Sequence, residues 1–262
     1  MSRPASPTLR DDAPAYHPFD GRAPLEVGPP PDRPTFWTRA LADPPSRYGE
    51  RVRWRGEEAW RFFDPTRSKL AAALCRGLPE NPFTPGLDVL YLGASTGTTV
   101  SHVADLVGPK GRVFAVEMSV RVLPRLLLLA RDYPNVHPIL ADARDPGGYS
   151  GDVPEVGVIY QDVSQPEQLR IARENAKLFL RPGGEFLLAL KRASLFGNAP
   201  ERGSDVTLGP PFQLCSRVAL EPFYREHSFL AFRSGEGGPQ QGATRPPVRA
   251  RPLRGRRMRS FR

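Results

Sequence analysis

Short apolar segments separated by helix-type segments recur along residues 89–191, and this alternation constrains the fold more than any other feature. We predict helices at 98–107, 120–132 and 165–180, and strands at 89–92, 112–117, 137–140, 156–160 and 185–191. A chain that alternates strands with helices forms a parallel sheet with helices on both faces. The expected fold class is therefore α/β, a doubly wound and mostly parallel sheet.

The segments outside this alternation set the expected domain boundaries. Residues 1–34 are rich in proline and poor in apolar residues, which predicts a flexible N-terminus. Two alternating segments around a glycine-containing turn predict a small β-rich subdomain at 35–63. The main domain is expected over 64–233, with a helix at 68–74, a loop at 197–213 and closing antiparallel strands at 218–221 and 228–233.

The C-terminal residues 234–262 form an expected disordered tail with a strong positive charge. The whole chain has a formal net charge of +9, and eight arginines without any acidic residue lie between Arg245 and Arg262. Unfolded arginine-rich segments bind phosphate without reading sequence, so we expect the tail to attach to RNA. No apolar run reaches the length of a membrane span, and the two cysteines indicate a reducing, intracellular compartment.

A glycine-containing turn follows the first strand of the alternation. Residues 90–99 read Leu-Tyr-Leu-Gly-Ala-Ser-Thr-Gly-Thr-Thr, so the strand passes through Gly93 and Gly97 into a helix that begins at Thr98 and Thr99. Such a turn lets the backbone approach a ligand, with N–H groups of the helix start as donors. The spacing differs from the dinucleotide-binding motif, so an ordinary tight turn is the alternative.

Acidic residues end the next two strands. Glu117 lies roughly 20 residues beyond the glycine turn, where an acid accepts hydrogen bonds from ribose hydroxyls; the alternative is a carboxylate that starts the next helix. Asp142 follows the third strand at the ligand-binding edge of the sheet, suited to an adenine amino group or, alternatively, to capping a loop. Together these residues predict a nucleoside-bearing cofactor.

Three charged residues form a second set. Asp162 ends the fourth strand, Lys191 ends the fifth, and Lys69 lies in the helix at 68–74. A lysine at the end of a buried strand can also simply extend into solvent. Because the sequence contains no metal-ligand spacing and no local nucleophilic Cys or Ser–His pair, we expect a cluster of two lysines and one aspartate without a metal.

The chain resembles the fibrillarin family. The matching segments occur in family order across residues 48–233, and they are 64–72, 91–99, 101–108, 115–117, 142–144, 161–166 and 220–223 with His227. It departs from the family at 192–217, which is rich in Gly and Pro where members carry an amphipathic helix. The arginine-rich segment is C-terminal, whereas eukaryotic members carry theirs at the N-terminus. The compact architecture resembles archaeal members, so we expect a cytoplasmic protein, or a nucleolar one if the source is eukaryotic.

The resemblance implies a Rossmann-like methyltransferase that uses S-adenosyl-L-methionine. The cofactor-binding residues that it implies are Gly93, Thr98, Thr99, Glu117, Met118, Asp142, Ala143, Asp162, Val163, Ser164 and Gln165. The implied catalytic residues are Lys69, Asp162 and Lys191, with Glu221 or His227 as a fourth group. We expect Lys191 to be the base or charge stabiliser nearest the substrate hydroxyl, with Lys69 in support.

The implied reaction is 2′-O-ribose methylation of rRNA or tRNA within a ribonucleoprotein. The implied partners are a box C/D guide RNA, a Nop-domain scaffold protein and a kink-turn-binding ribosomal-type protein, without a membrane. A protein (glutamine) methyltransferase of the same fold and a non-catalytic ribonucleoprotein scaffold are the alternatives. The presence of Lys69, Asp162 and Lys191 together argues against the scaffold.

Overall fold

The computed structural model describes residues 25–28, 34–79, 81–192 and 206–235 of the chain. The strands are β1 Leu25–Gly28, β2 Thr35–Arg39, β3 Val52–Arg55, β4 Glu58–Phe63, β5 Asp88–Leu92, β6 Arg112–Glu117, β7 Val136–Leu140, β8 Val156–Gln161, β9 Leu180–Lys191, β10 Phe212–Ala219 and β11 His227–Ser234. The helices are α1 Lys69–Cys75, α2 Thr98–Val107, α3 Leu123–Asp132, α4 Gln168–Phe179 and a 3-10 helix at Pro146–Tyr149. The predictions for residues 1–24, 197–205 and 236–262 lie outside the described residues.

Seven strands form the main sheet in the order β10-β11-β9-β8-β5-β6-β7. Five adjacent strands run parallel to one another, in the order β9-β8-β5-β6-β7. Strand β11 pairs antiparallel with β9, and β10 pairs antiparallel with β11 at the edge of the sheet. The predicted doubly wound α/β fold is therefore confirmed. The chain order reverses at β5, which lies between β8 and β6, and open α/β sheets bind ligands at the carboxyl ends of strands at such a point.

A second sheet of four antiparallel strands, in the order β1-β2-β4-β3, lies N-terminal to the main domain. The predicted hairpin is present as β3 and β4, which meet at Arg55 opposite Glu58. The prediction that residues 1–34 are flexible is wrong for β1, which pairs with β2 from Leu25 opposite Thr38 onward. Its physical reason is burial, because Leu25 is only 6% exposed and packs into the core.

Helix α2 is buried because the two sheets enclose it. Nine of its ten residues, at 99–107, are buried. Val103 and Leu106 lie in the apolar core, and each such fully buried side chain stabilises the fold by about 1.5–3 kcal/mol. The polar residues His102 and Asp105 hydrogen bond with the Thr38 hydroxyl in β2, at 2.8 and 2.9 Å. The N-terminal sheet is thereby held against the helix that starts at the glycine turn.

Arg61 in β4 forms a buried ionic link between the N-terminal sheet and α2. Its side chain is 0% exposed, and it forms ion pairs with Glu50 at 2.6 Å and Asp105 at 2.8 Å. It also donates hydrogen bonds to the Tyr133 hydroxyl at 2.6 Å and the Ser101 hydroxyl at 2.9 Å. Burial alone would lower the pKa of Arg61, but the neighbouring negative charges outweigh burial and raise it.

The C-terminal edge of the sheet differs from the prediction. Strand β10 covers Phe212–Ala219, so part of the predicted loop at 197–213 is strand, and the strand predicted at 218–221 ends earlier. The reason is that β10 is an edge strand with mostly exposed residues, and its pairing with β11 alone defines it. Helices α3 and α4 are shorter than predicted, and Pro124 lies in the first turn of α3. Among the described helices, none is long and apolar enough to cross a bilayer.

Candidate cofactor cavity and active site

A cavity of about 580 Å³ lies where the carboxyl ends of β5, β6 and β8 meet. Ten of the eleven residues predicted to bind a cofactor line this cavity. Its lining residues are Arg67, Lys69, Tyr91, Gly93, Ala94, Ser95, Thr96, Thr98, Thr99, Val116, Glu117, Met118, Ser119, Val122, Ala141, Ala143, Asp162, Val163, Ser164 and Gln165. Its position at the order reversal of the sheet is the one expected for a nucleotide-type ligand.

The glycine turn after β5 forms the floor of the cavity and requires glycine at two positions. Gly93 has a φ of 85°, and a Cβ atom there would lie 2.5 Å from the backbone oxygen of Asp162. Gly97 has a φ of 91°, and its Cβ would lie 2.5 Å from Leu129. Both positions combine a left-handed backbone with close packing, which only glycine tolerates. The turn therefore lies directly against the end of β8, the strand that precedes Asp162.

Glu117 ends β6 and holds the glycine turn in place. Its carboxylate accepts hydrogen bonds from the backbone N–H of Ser95 at 2.7 Å and of Ser119 at 2.8 Å. Glu117 is 8% exposed and lines the cavity. Each carboxylate oxygen can accept more than one hydrogen bond, so both can also face ligand hydroxyls. Because α3 begins later, at Leu123, Glu117 does not start that helix.

The far end of the cavity combines apolar and polar groups. Met118 is 48% exposed, and its sulfur lies 3.1 Å from the side-chain nitrogen of Gln165 across the opening. Ala143 contributes an apolar surface, whereas Asp142 does not line the cavity. The Asp142 carboxylate instead pairs with Arg144 at 2.6 Å, and this hydrogen-bonded guanidinium lowers the pKa of Asp142. The role of Asp142 as an adenine ligand stays a prediction.

Thr99 connects the glycine turn to the helix that carries Lys69. Its hydroxyl donates a hydrogen bond to the Ser68 hydroxyl at 3.0 Å. Ser68 is the N-cap of α1 and accepts a hydrogen bond from the backbone N–H of Ala71 at 3.3 Å. Capping by a serine hydroxyl stabilises the first turn of a helix by about 1 kcal/mol. The cap therefore positions Lys69, the first residue of α1, relative to the start of α2.

Lys69 and Asp162 form an ion pair in the cavity wall. The Lys69 Nζ lies 2.7 Å from Oδ1 of Asp162, and the two side chains are 21% and 22% exposed. The Tyr224 ring lies 5.4 Å from the same Nζ. Burial, together with the charges of Asp162 and Asp64, raises the pKa of Tyr224 to about 12. The wall thus places the Lys69 and Asp162 side chains together, and the Tyr224 phenol lies next to Lys69.

The remaining three predicted catalytic residues lie at the end of β9, at the start of β11 and in the turn between β10 and β11, and they do not line the cavity. Lys191 ends β9 opposite His227 of β11, and its side chain is exposed. The backbone N–H of Lys191 donates a hydrogen bond to Oε1 of Gln168 at 3.2 Å. Nδ1 of His227 donates to the Arg225 carbonyl at 2.7 Å. The Glu221 carboxylate accepts from the backbone N–H of Glu226 at 2.9 Å. Lys191 and His227 are therefore cross-strand neighbours.

Sequence reasoning missed several residues that line or support the site. Arg67 and Tyr91 lie in the matching segments at 64–72 and 91–99, so their place in those segments could have indicated them. Tyr48 and Tyr224 carried no such signal, because only folding brings them close. The Tyr48 hydroxyl donates to the Thr96 carbonyl at 2.7 Å, and Arg67 donates to the Tyr48 carbonyl at 2.6 Å.

The cavity fits S-adenosyl-L-methionine by the chemistry of its lining. A backbone turn without side chains at Gly93 and Gly97 allows close approach of a ligand. The Glu117 carboxylate suits the ribose hydroxyls, and the apolar surfaces of Met118 and Ala143 suit a purine ring. Within the described ranges, no group of three His, Cys, Asp or Glu side chains lies close enough to hold a metal ion.

Comparison with known proteins gives matches of both sequence and structure. The sequence model of a family described as Fibrillarin matches residues 31–234. A fibrillarin-like rRNA/tRNA 2′-O-methyltransferase from Thermococcus onnurineus is 42% identical over 201 residues, which cover 75% of this chain and 88% of the relative.

Two solved structures are also similar. Aeropyrum pernix fibrillarin in complex with natively bound S-adenosyl-L-methionine has a TM-score of 0.70 and 38% identity, covering 80% of this chain and 94% of that one. A fibrillarin/Nop5p complex has a TM-score of 0.65 and 35% identity, covering 76% of this chain and 94% of that one.

Proposed function

Because the chain belongs to the fibrillarin family, we propose that it methylates ribose 2′-hydroxyls of rRNA or tRNA with S-adenosyl-L-methionine as methyl donor. The observation that carries the proposal is the Lys69–Asp162 ion pair in the wall of the glycine-turn cavity. A cofactor-binding turn alone fits many enzymes, whereas a charged pair beside it supplies the groups that a hydroxyl acceptor needs. The name of the Thermococcus relative and the cofactor of the Aeropyrum protein support the same reaction.

The chain holds the cofactor with groups from three strand ends. Gly93 and the N–H groups of its turn, the Glu117 carboxylate, and residues 162–165 are the proposed contacts. When bound, S-adenosyl-L-methionine supplies a methyl group on a positively charged sulfur. The pairing of Glu117 with Ser95 and Ser119 keeps the turn ordered before the cofactor arrives, which reduces the entropy lost on binding.

The acceptor hydroxyl must lose a proton as its oxygen gains the methyl group. Oδ1 of Asp162 accepts a hydrogen bond from Lys69, which leaves Oδ2 to accept a hydrogen bond from the ribose hydroxyl and then its proton as the methyl group is transferred. We place the hydroxyl there because such a bond orients one oxygen lone pair toward the methyl carbon. In-line displacement depends strongly on this orientation. Tyr224 packs beside Lys69 and limits the positions open to the ammonium.

Lys191 is the proposed stabiliser of negative charge that develops on the ribose oxygen. Its position at the end of β9 supports this role, since β8 and β9 pair directly and Asp162 follows β8. His227 lies opposite Lys191 across the strand pair, which favours it over Glu221 as the fourth group. Both side chains lie beside the cavity rather than in its wall, so we expect them to act when RNA covers this edge.

We further propose that the protein works in a ribonucleoprotein. The similarity to the fibrillarin/Nop5p complex supports a Nop-domain scaffold as partner. A box C/D guide RNA that selects the target and a kink-turn-binding protein complete the proposed assembly. We propose a cytoplasmic location for it.

Transfer of labelled methyl groups tests this function. We expect transfer to guide-paired target RNA in the reconstituted ribonucleoprotein, and a loss of about 100-fold or more with Asp162→Asn, since a positioned acid–base group contributes about that much. Asp152→Asn, in an exposed turn away from the cavity, is the matched control. Labelled protein without labelled RNA would instead indicate the protein methyltransferase. Cofactor binding without any transfer would indicate the non-catalytic scaffold.

A further inference from the structure

A second cavity of about 430 Å³ adjoins the cofactor cavity. The two cavities share Arg67, Thr96 and Thr98 as lining residues. The rest of the second cavity is lined by Arg47, Tyr48, Arg125, Leu128, Leu129 and Asp132. We call it the arginine cavity, because Arg47, Arg67 and Arg125 come from three separate parts of the chain to line it.

The arginine cavity has more positive than negative charge. Asp132 is the single acidic residue of its lining, and its carboxylate already pairs with Nη1 of Arg47 at 2.8 Å. Nε and Nη2 of Arg47 are buried and have no hydrogen-bond partner among the described residues. Arg125 is exposed on α3, and no described side chain pairs with its guanidinium. Three guanidinium groups with one carboxylate among them give the cavity a positive potential, which favours the binding of an anion.

The walls of the arginine cavity are held before any ligand binds. The Glu50 carboxylate accepts hydrogen bonds from the backbone N–H groups of Arg47 at 3.2 Å and Tyr48 at 2.7 Å. The buried Arg61 pairs with the same carboxylate at 2.6 Å. Since Arg67 also donates to the Tyr48 carbonyl at 2.6 Å, the segment that carries Arg47 and the residue Arg67 are fixed relative to each other.

We propose that the arginine cavity binds a backbone phosphate of the RNA strand that is methylated. The inference rests on the proposed function, because it takes a ribose hydroxyl at Asp162 as its starting point. Arginine forms a planar fork of donors that matches phosphate oxygens, and three such groups suit a phosphodiester. Arg67 lines both cavities, so the arginine cavity adjoins the Lys69–Asp162 pair, and in the proposal a strand whose ribose reaches that pair passes the mouth of the arginine cavity.

The composition of the lining favours a phosphate over a base. Tyr48 is the single aromatic residue of the lining, and its hydroxyl is held by the Thr96 carbonyl, whereas three residues carry guanidinium groups. Phosphate contacts fix the register of a strand without reading its sequence. Such a contact suits an enzyme whose target is chosen by base pairing. The cavity thus positions the target nucleotide and leaves its identity to the guide.

The variant Arg125→Gln tests the proposal, because this side chain is exposed and its loss leaves no buried charge behind. Arg131→Gln is the matched control, since Arg131 lies in the last turn of the same helix and does not line either cavity. The assay is methyl transfer to guide-paired target RNA by the reconstituted ribonucleoprotein, with KM for RNA measured over a range of salt. The Kd for S-adenosyl-L-methionine is measured in parallel by calorimetry.

We expect Arg125→Gln to raise the KM for RNA roughly fivefold to tenfold and to reduce its salt dependence by about one counterion, as for one lost phosphate contact. The cofactor Kd and the behaviour of Arg131→Gln should match the wild type. Equal KM values for the two variants would overturn the phosphate site while leaving the proposed function intact. Weaker cofactor binding by Arg125→Gln would assign the anion to the cofactor carboxylate instead. Wild-type protein without RNA methylation would refute the proposed function itself.

Discussion

Replacing Arg61 by methionine removes the centre of the buried ionic link between the N-terminal sheet and α2. The variant would leave the Asp105 carboxylate, 0% exposed, with neutral donors alone, which are the Thr38 hydroxyl at 2.9 Å, the Leu41 backbone N–H at 3.0 Å and the Tyr133 hydroxyl. Glu50, whose side chain is 4% exposed, would lose its cationic partner as well. Removing one member of a buried ion pair costs about 3–5 kcal/mol, because the other charge stays buried without compensation.

That loss corresponds to a decrease in Tm of roughly 6–20 °C for a domain of this size. Urea unfolding followed by circular dichroism gives the free energy of unfolding, with Arg39→Met as control. The Arg39–Glu58 pair has a similar length, 2.7 Å, but its side chains are 46% and 47% exposed. Exposed pairs contribute about 0–1 kcal/mol, so the control variant should unfold almost like the wild type.

The effect should also depend on pH in a defined direction. Burial already raises the pKa of Asp105, and Arg61 acts against that increase. Without Arg61 the folded-state pKa rises further above the unfolded value, so the folded protein binds a proton that the unfolded chain releases. Stability of Arg61→Met should therefore fall as pH rises above the pKa of an unfolded aspartate, about 3.9.

The double variant Arg61→Met with Asp105→Leu should recover part of the loss, since it removes the Asp105 charge as well and leaves only Glu50 without its cationic partner. A loss below 1 kcal/mol for Arg61→Met, equal to that of Arg39→Met, would refute the role of this ion pair in holding the N-terminal sheet against α2. If the double variant recovers none of the lost free energy of unfolding, the arginine acts by packing rather than by charge compensation.

Three further outcomes are expected. Gly93→Ala should weaken binding of S-adenosyl-L-methionine at least tenfold in calorimetry, because its Cβ would meet the Asp162 backbone oxygen. Gly108→Ala is the control, since Gly108 has a similar positive φ of 68° with open space around it, and this variant should affect only stability. Lys191→Ala should reduce guide-dependent methylation without changing the cofactor Kd, and normal methylation would exclude Lys191 as base or charge stabiliser. Deleting residues 245–262 should lower the RNA affinity and the salt dependence of that affinity. Unchanged values for both would count against an RNA-binding tail.

The identity of the cofactor site was predictable because its residues lie in short, local segments. A strand, a glycine turn and a helix start occupy residues 88–107 without interruption, so Gly93 and Thr98 are neighbours in sequence as well as in space. Glu117 and Asp162 are distant in sequence, but each ends a parallel strand of the same sheet. Parallel strands bring their carboxyl ends together, so the fold class alone predicts that these residues meet.

Other contacts could not be predicted because they join segments whose relative position depends on packing. Tyr48 and Thr96 meet only because the N-terminal sheet packs on α2, and Tyr224 reaches Lys69 from the turn between β10 and β11. The arginine cavity likewise gathers Arg47, Arg67 and Arg125 from three segments. None of these side chains forms a pattern with its own sequence neighbours, so no local signal marks them.

The amino-acid sequence by itself determined the α/β fold, the order of the strands along the chain and the residues of the glycine turn, because hydrophobic periodicity and glycine act over a few residues. Only the tertiary structure decided that Lys69 pairs with Asp162 while Lys191 lies beside His227, and that β1 and β10 are strands. The physical reason is that side-chain pairs and edge strands gain their stability from partners distant in the chain, and those partners are adjacent only after the core has packed.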